Sequence, residues 1–232
     1  MTVTRSRRIP VLTAIGAAAA LVLALVACDS AEPHAVASGS TAPPGQQSST
    51  TQKPAEQVAK DFLDAYSAFE TDRALAYLTE DAVAEGAGDA GSWGSEESFR
   101  MDVAMTKAQH IEQMLTGCEL QGESAEGTAV QCAFDLHAFH SEEIGRGPYS
   151  DNHWDIVVDD GKVTSAVATW AYMTNGFSAE LWQPFQAWVA TTHPEDLPAM
   201  YLGNSAAITE ESIRLWDERT GEWAEEVKAS TE

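Results

Sequence analysis

Asp135 and His137 stand two residues apart in an alternating run. That spacing puts both on the same side of a strand, where a carboxylate can orient an imidazole for general acid–base work. The same alternation sends Val130, Cys132, Phe134 and Leu136 to the other, apolar side. Asp135 and His137 are therefore expected on the solvent face, and they do chemistry only if that face lines a pocket. His137 and His140, with Glu142 and Glu143 nearby, have the residue types of a metal site. Three residues apart on a strand they point to opposite faces, so unless the strand ends or bulges there no metal is expected. His110 follows Val103 by seven residues on a mostly apolar helical side, where it either lines a pocket and titrates or sits at the core edge with one hydrogen bond. Tyr66, Trp93, Phe99 and Arg100 complete the candidate pocket residues.

Other chemistries have no footing. The sequence holds no nucleophile elbow, phosphate-binding loop, HExxH or calcium loop, and Asp159-Asp160-Gly161 lacks calcium-ligand spacing. No cofactor is expected.

The elements that must hold these residues are legible in outline. Pro54 suits a first helical turn. Val58, Phe62, Ala65, Tyr66 and Phe69 follow at helical spacing. Thr71-Asp72 opens a second short helix with Leu75 and Leu78 inward, and Gly86 to Gly94 reads as a loop. Ser95-Glu96-Glu97 starts a third helix, with acids where the helix dipole favours them. Phe99, Val103, Ala104, Ala108, Ile111 and Leu115 mark its buried side, and Gly117 stops it. Strands then follow. If a hairpin pairs Leu120 with Val130, Cys118 falls opposite Cys132 at a separation a disulfide can span. Asp160-Gly161 joins a second hairpin, from Trp154–Val158 to Val163–Met173. After Asn175-Gly176 the helical period returns through Leu181, Phe185, Trp188 and Val189, with Pro184 requiring an early position or a kink. His193-Pro194 breaks it. Thr209 caps a last helix carrying Ile213, Trp216, Thr220, Trp223 and Val227. Helices segregated from a run of strands predict an α+β domain. Trp182, Trp188, Trp216 and Trp223 either pack these last helices or offer an aromatic surface to a ligand or partner.

The N-terminus reads as an address. Arg5, Arg7 and Arg8 precede an uncharged run from Ile9 to Val26, closed by Leu25-Val26-Ala27-Cys28. This is the pattern of a bacterial lipobox, which makes residues 1–27 a signal peptide and Cys28 the site of lipidation. A membrane-spanning anchor is the rival, and Ser6-Arg7-Arg8 leaves twin-arginine export open. Residues 28–53 are mostly Ser, Thr, Pro, Gly, Ala and Gln, a composition expected to form a disordered tether. Removing Arg5, Arg7 and Arg8 takes the formal charge from −23 to −26. Such acidity argues against nucleic acid as a partner. The expected location is the extracytoplasmic face of the cell membrane, the membrane being a partner through the lipid on Cys28. An exported chain also suits a disulfide between Cys118 and Cys132.

The chain resembles the NTF2-like, or SnoaL-like, superfamily. The resemblance rests on Glu56-Gln57-Val58-Ala59-Lys60-Asp61-Phe62-Leu63-Asp64-Ala65-Tyr66, on the run from Asp72 to Val83, and on Trp154-Asp155-Ile156-Val157-Val158-Asp159-Asp160-Gly161-Lys162-Val163. It implies a cone in which N-terminal helices pack on a curved antiparallel sheet around a pocket, over residues 54–177, with 178–232 as a C-terminal helical extension. In family enzymes Asp, His, Tyr or Arg in that pocket do acid–base work on apolar ligands. Fold alone assigns no function. The expected role is non-catalytic binding of a small apolar ligand or an envelope protein. An isomerase- or hydrolase-type pocket enzyme and an interaction module built on the Trp-rich helices are the alternatives.

Overall fold

A computed structural model describes residues 53–231. The signal, Cys28 and tether assignments lie outside the described residues. No helix among those described is long and apolar enough to cross a membrane.

Helix α1 (Ala55–Ser67) begins at Pro54 and buries Val58, Phe62, Leu63 and Tyr66. Helices α2 (Thr71–Leu75) and α3 (Glu80–Glu85) follow, the second capped by the Thr79 hydroxyl accepting from the Ala82 amide. Helix α4 (Glu96–Ala108) starts as expected, with Ser95 as its cap. Its end differs from expectation. The chain turns through Gln109 and His110, the latter at φ +50°, and Glu112–Ser124 forms strand β1. Ile111 and Leu115 continue the helical spacing of α4, but pairing with the next strand recruits this segment into the sheet instead.

Strands β1, β2 (Gly127–His137), β3 (Tyr149–Asp159) and β4 (Lys162–Thr169) form an antiparallel meander in that order. Leu120 pairs with Val130, and Cys118 lies opposite Cys132. Their sulfurs are bonded in the structure. Asp160-Gly161 makes the second hairpin. Strand β3 begins upstream of Trp154, and β4 ends before Met173, because Ala171 to Asn175 turn back on themselves. Register shifts, with extra residues in β1, β3 and β4, bend the sheet. Its inner face presents Val130, Cys132, Phe134, Trp154, Ile156 and Val163. Helix α1 lies across it, with Phe62 and Tyr66 edge-on to Trp154 at 6.1 and 5.2 Å. The far edge of β4 is closed by Tyr77–Thr79 and Ala87, which exchange backbone hydrogen bonds with Val163, Ala166 and Ala168.

The C-terminal elements complete the α+β fold. A π-helical turn (Ser178–Trp182) leads into α5 (Gln183–Thr192), which accommodates Pro184 in its first turn. Helix α6 (Leu197–Met200), a short hairpin of β5 (Tyr201–Leu202) and β6 (Ser205–Ala206), and α7 (Glu210–Thr231) follow. The Thr209 hydroxyl caps α7 through the Ser212 amide. Trp216 is 0% exposed and packs against Phe139, Trp182, Phe185 and Tyr201. Trp223 is also buried. Both therefore join the extension to the domain rather than forming an outward aromatic surface.

Candidate functional site

Two buried carboxyls meet at the inner end of α1 and α4. Asp102 lies on the same side of α4 as Phe99, Val103 and Thr106, within an otherwise apolar stripe. It is 1% exposed. Its Oδ2 accepts from the Tyr66 hydroxyl at 2.6 Å and from Trp93 Nε1 at 3.0 Å. Its Oδ1 accepts from the backbone amides of Ala90 and Gly91 at 2.7 and 3.2 Å. The second acid, Asp89, sits on the loop that wraps this group. Its backbone amide donates to the Tyr66 oxygen at 3.1 Å, and its Oδ2 accepts from Gln113 Nε2 at 2.5 Å. Gln113 in turn accepts from Trp154 Nε1 at 2.9 Å. Gly88 permits this approach, because a Cβ there would lie 2.0 Å from Asp102 Oδ2 and 2.5 Å from the Tyr66 oxygen.

The remaining oxygen of Asp89, Oδ1, is buried and has no hydrogen-bond partner among the described residues. Asp89 lines a cavity of about 490 Å³. The cavity is bounded by the turn after α4 (Gln109, Ile111), by Phe139, by the segment after β4 (Trp170, Tyr172, Met173, Phe177), and by the extension (Trp182, Gln183, Gln186, Asn204, Ser205, Ala206). Asp89 is the one acidic or basic residue among them. Trp170 Nε1 is likewise buried without a partner. An open site of this volume, mostly apolar with a few convergent polar groups, has the character of a small-molecule pocket.

Environment separates the two acids. Burial pushes both carboxyls above the usual range, and the charge of Asp102 adds to the shift at Asp89, which is the larger. Asp102 accepts four hydrogen bonds, the arrangement of an ionised carboxylate. Asp89 accepts one side-chain hydrogen bond and holds the proton of the pair. Burial and the neighbouring Asp102 also push the Tyr66 hydroxyl up, so it acts as a fixed donor. Asp89 is thus the neutral acid among the lining residues, with its unpartnered oxygen buried behind the cavity surface.

The sequence-predicted residues divide around this site. Tyr66, Trp93 and Phe99 are brought together, with Tyr66 and Trp93 holding Asp102, but none of the three lines the open cavity. Arg100 points away and pairs with Asp72 at 2.7 Å, half-exposed, so it is no pocket residue. Asp135 is on the polar side of β2, across from Met114, and does not line the cavity. His137 hydrogen-bonds the Ser141 hydroxyl at 3.0 Å, so it does not pair with Asp135. His110 lies at the core edge, its ring tilted against that of His140 with centres 3.8 Å apart, and 3.2 Å from Asp217. Burial, then His140, holds its imidazole below the usual range. Among the described residues His193, Glu195 and Asp196 are close enough to share a metal ion, but Asp196 is paired with Arg219 at 2.8 Å and His193 with Glu222 at 3.0 Å. Sequence reasoning passed over Asp89 and Asp102. The available signal was Asp102 itself, an acid on the buried stripe of α4, and the Gly88-Asp89 step in the loop that faces it.

No family model matches the chain, and no curated protein does. Solved structures to which it is similar include a provisional polyketide cyclase from Sinorhizobium meliloti (16% identity, 49% of this chain and 94% of that one, TM-score 0.37). An NTF2-like protein of unknown function from Cytophaga hutchinsonii is similar at 14% identity, 53% and 96% coverage and a TM-score of 0.38. The orange carotenoid protein of Anabaena, with canthaxanthin bound, is similar at 10%, 50% and 36% coverage and 0.35. At these values nothing about ligand or activity passes from them to this chain.

Proposed function

We propose that this protein binds a small, largely apolar molecule in the cavity beside Asp89, and that it does so from the outer face of the cell membrane, held by lipid on Cys28. The observation that carries the binding reading is the cavity itself, about 490 Å³ and lined by apolar and neutral polar side chains with Asp89 as the one acid. The apolar lining supplies affinity and the few polar lining side chains fix orientation. The anchor rests on the lipobox ending at Cys28.

One observation favours a second reading. Asp89 is the one acidic or basic residue lining the cavity, so acid–base catalysis would rest on it rather than on His110, Asp135 or His137. A neutral solvatochromic dye such as Nile red tests the binding reading. The protein is expected to bind it with a blue-shifted emission, and Ala206→Trp, which fills the cavity from its rim, is expected to abolish that signal with an unchanged circular dichroism spectrum. Equal dye binding by a folded Ala206→Trp variant would place the dye, and the ligand, elsewhere.

A further inference from the structure

Gln109 is the buried polar side chain of the cavity wall. It closes α4, with its backbone amide donating to the Met105 carbonyl and its own carbonyl accepting from the Phe139 amide, both at 2.9 Å. The backbone is therefore held from two sides. The residue is 4% exposed and lines the cavity. Its side-chain amide makes no hydrogen bond among the described residues. Neither its oxygen nor its nitrogen is sealed as Asp89 Oδ1 and Trp170 Nε1 are, so a residue otherwise buried presents its amide to the cavity. A run of aromatic rings lies beside it. Trp182, Phe139, Phe177, Tyr172 and Trp170 all line the cavity, and each touches the next, with ring centres 6.2, 5.7, 6.1 and 5.9 Å apart in that order. The remaining polar lining is neutral, from Gln183, Gln186 and Asn204 to two serines, and it includes no Lys, Arg or His.

We propose that the ligand is a neutral planar heterocycle with an N–H beside a C=O on one edge, as in a lactam, and that this edge pairs with Gln109 while the ring lies among the aromatic side chains. This rests on the cavity being the ligand site. A primary amide both donates and accepts, so it pairs twice with an edge that offers both and leaves half of itself unpaired against any other. In a buried setting that unpaired half is costly, which turns the amide into a selector. Flat π-systems suit the ring wall, because offset and edge-on contacts are open to them there. A carboxylate or phosphate would enter without a cation to meet it, and a charge buried unpaired is disfavoured.

Calorimetric titration of the full-length protein with 2-quinolone, N-methyl-2-quinolone and 2-naphthoate tests the proposal. These are bicycles of similar size that present, in turn, the paired edge, the edge without its donor, and an anion. The parent is expected to bind 2-quinolone about tenfold more tightly than its N-methyl derivative, and 2-naphthoate poorly. Gln109→Met keeps the length of the side chain and removes the amide. It is expected to weaken 2-quinolone about tenfold and to leave N-methyl-2-quinolone nearly unchanged, with an unaltered circular dichroism spectrum. Equal binding of the two quinolones, tighter binding of 2-naphthoate, or a folded Gln109→Met variant with parental affinity for 2-quinolone would overturn the proposal. Should Gln109→Met fail to fold, the comparison of the two quinolones on the parent decides alone. If Nile red occupies the cavity while 2-quinolone does not displace it, the heterocycle is wrong and the cavity reading stands. If Ala206→Trp leaves both dye and 2-quinolone bound, the cavity reading itself fails.

Discussion

Asp89 and Asp102 show how two identical side chains acquire different duties from their surroundings. Four donors converge on Asp102, whereas Asp89 has one and an oxygen left over. Replacing Asp102 by Asn aims an amide at donors, leaving buried N–H or O–H groups unpaired, and is expected to cost about 2–5 kcal/mol in urea denaturation. Asp89→Asn keeps the shape of the protonated acid, and its effect depends on pH. Below about pH 4 the Asp89 carboxyl is neutral in folded and unfolded chains alike. Above it the unfolded chain ionises while the folded one keeps its proton, so the parent loses stability as pH rises toward the raised folded value. Thermal melts of parent and Asp89→Asn are therefore expected to diverge in favour of the variant as pH rises above about 4, and parallel profiles would show that Asp89 ionises freely. Neither acid was singled out from sequence. Tyr66, Trp93 and Phe99 were, because aromatic residues at helical spacing announce a core, while a loop acid announces nothing until the loop is folded onto its partner.

Elements governed by local rules were legible and those decided by pairing were not. Asp160-Gly161 specified its hairpin, Ser95 and Thr209 their caps, and the alternation around Cys132 its register with Cys118. The exchange of α4 for β1 was missed because Ile111 and Leu115 extend the helical stripe, and only the distant β2 makes a strand of them. The disulfide closes a loop between residues 14 apart in sequence. Chain entropy assigns such a bridge about 3 kcal/mol. Cys118→Ala with Cys132→Ala is accordingly expected to lower unfolding stability by about 2–4 kcal/mol in chemical denaturation, and an unchanged midpoint would mean that β1 and β2 are held wholly by their ladder and side chains. The extension is fastened differently. Trp216 fills the space between Phe139, Phe185 and Trp182, so α5 and α7 are held by aromatic packing.

The molecule as a whole places its cavity where the sheet domain, residues 54–177, meets the extension. Its walls come from Asp89, Gln109, Phe139, Trp170 and Trp182, spread over nearly half the chain. That dispersal is why the α+β class could be read from the order of elements while the site could not. It also explains why aromatic content left a partner surface open: composition does not reveal that Trp216 and Trp223 face inward. Native mass spectrometry of the protein extracted from its host in neutral detergent, parent beside Asp89→Leu, tests the central claim most directly. The parent is expected to carry a discrete small molecule in addition to the lipid mass on Cys28, and Asp89→Leu to carry the lipid mass with the small molecule lost. A parent that is ligand-free in every preparation, or an Asp89→Leu variant that retains the same adduct, would contradict it.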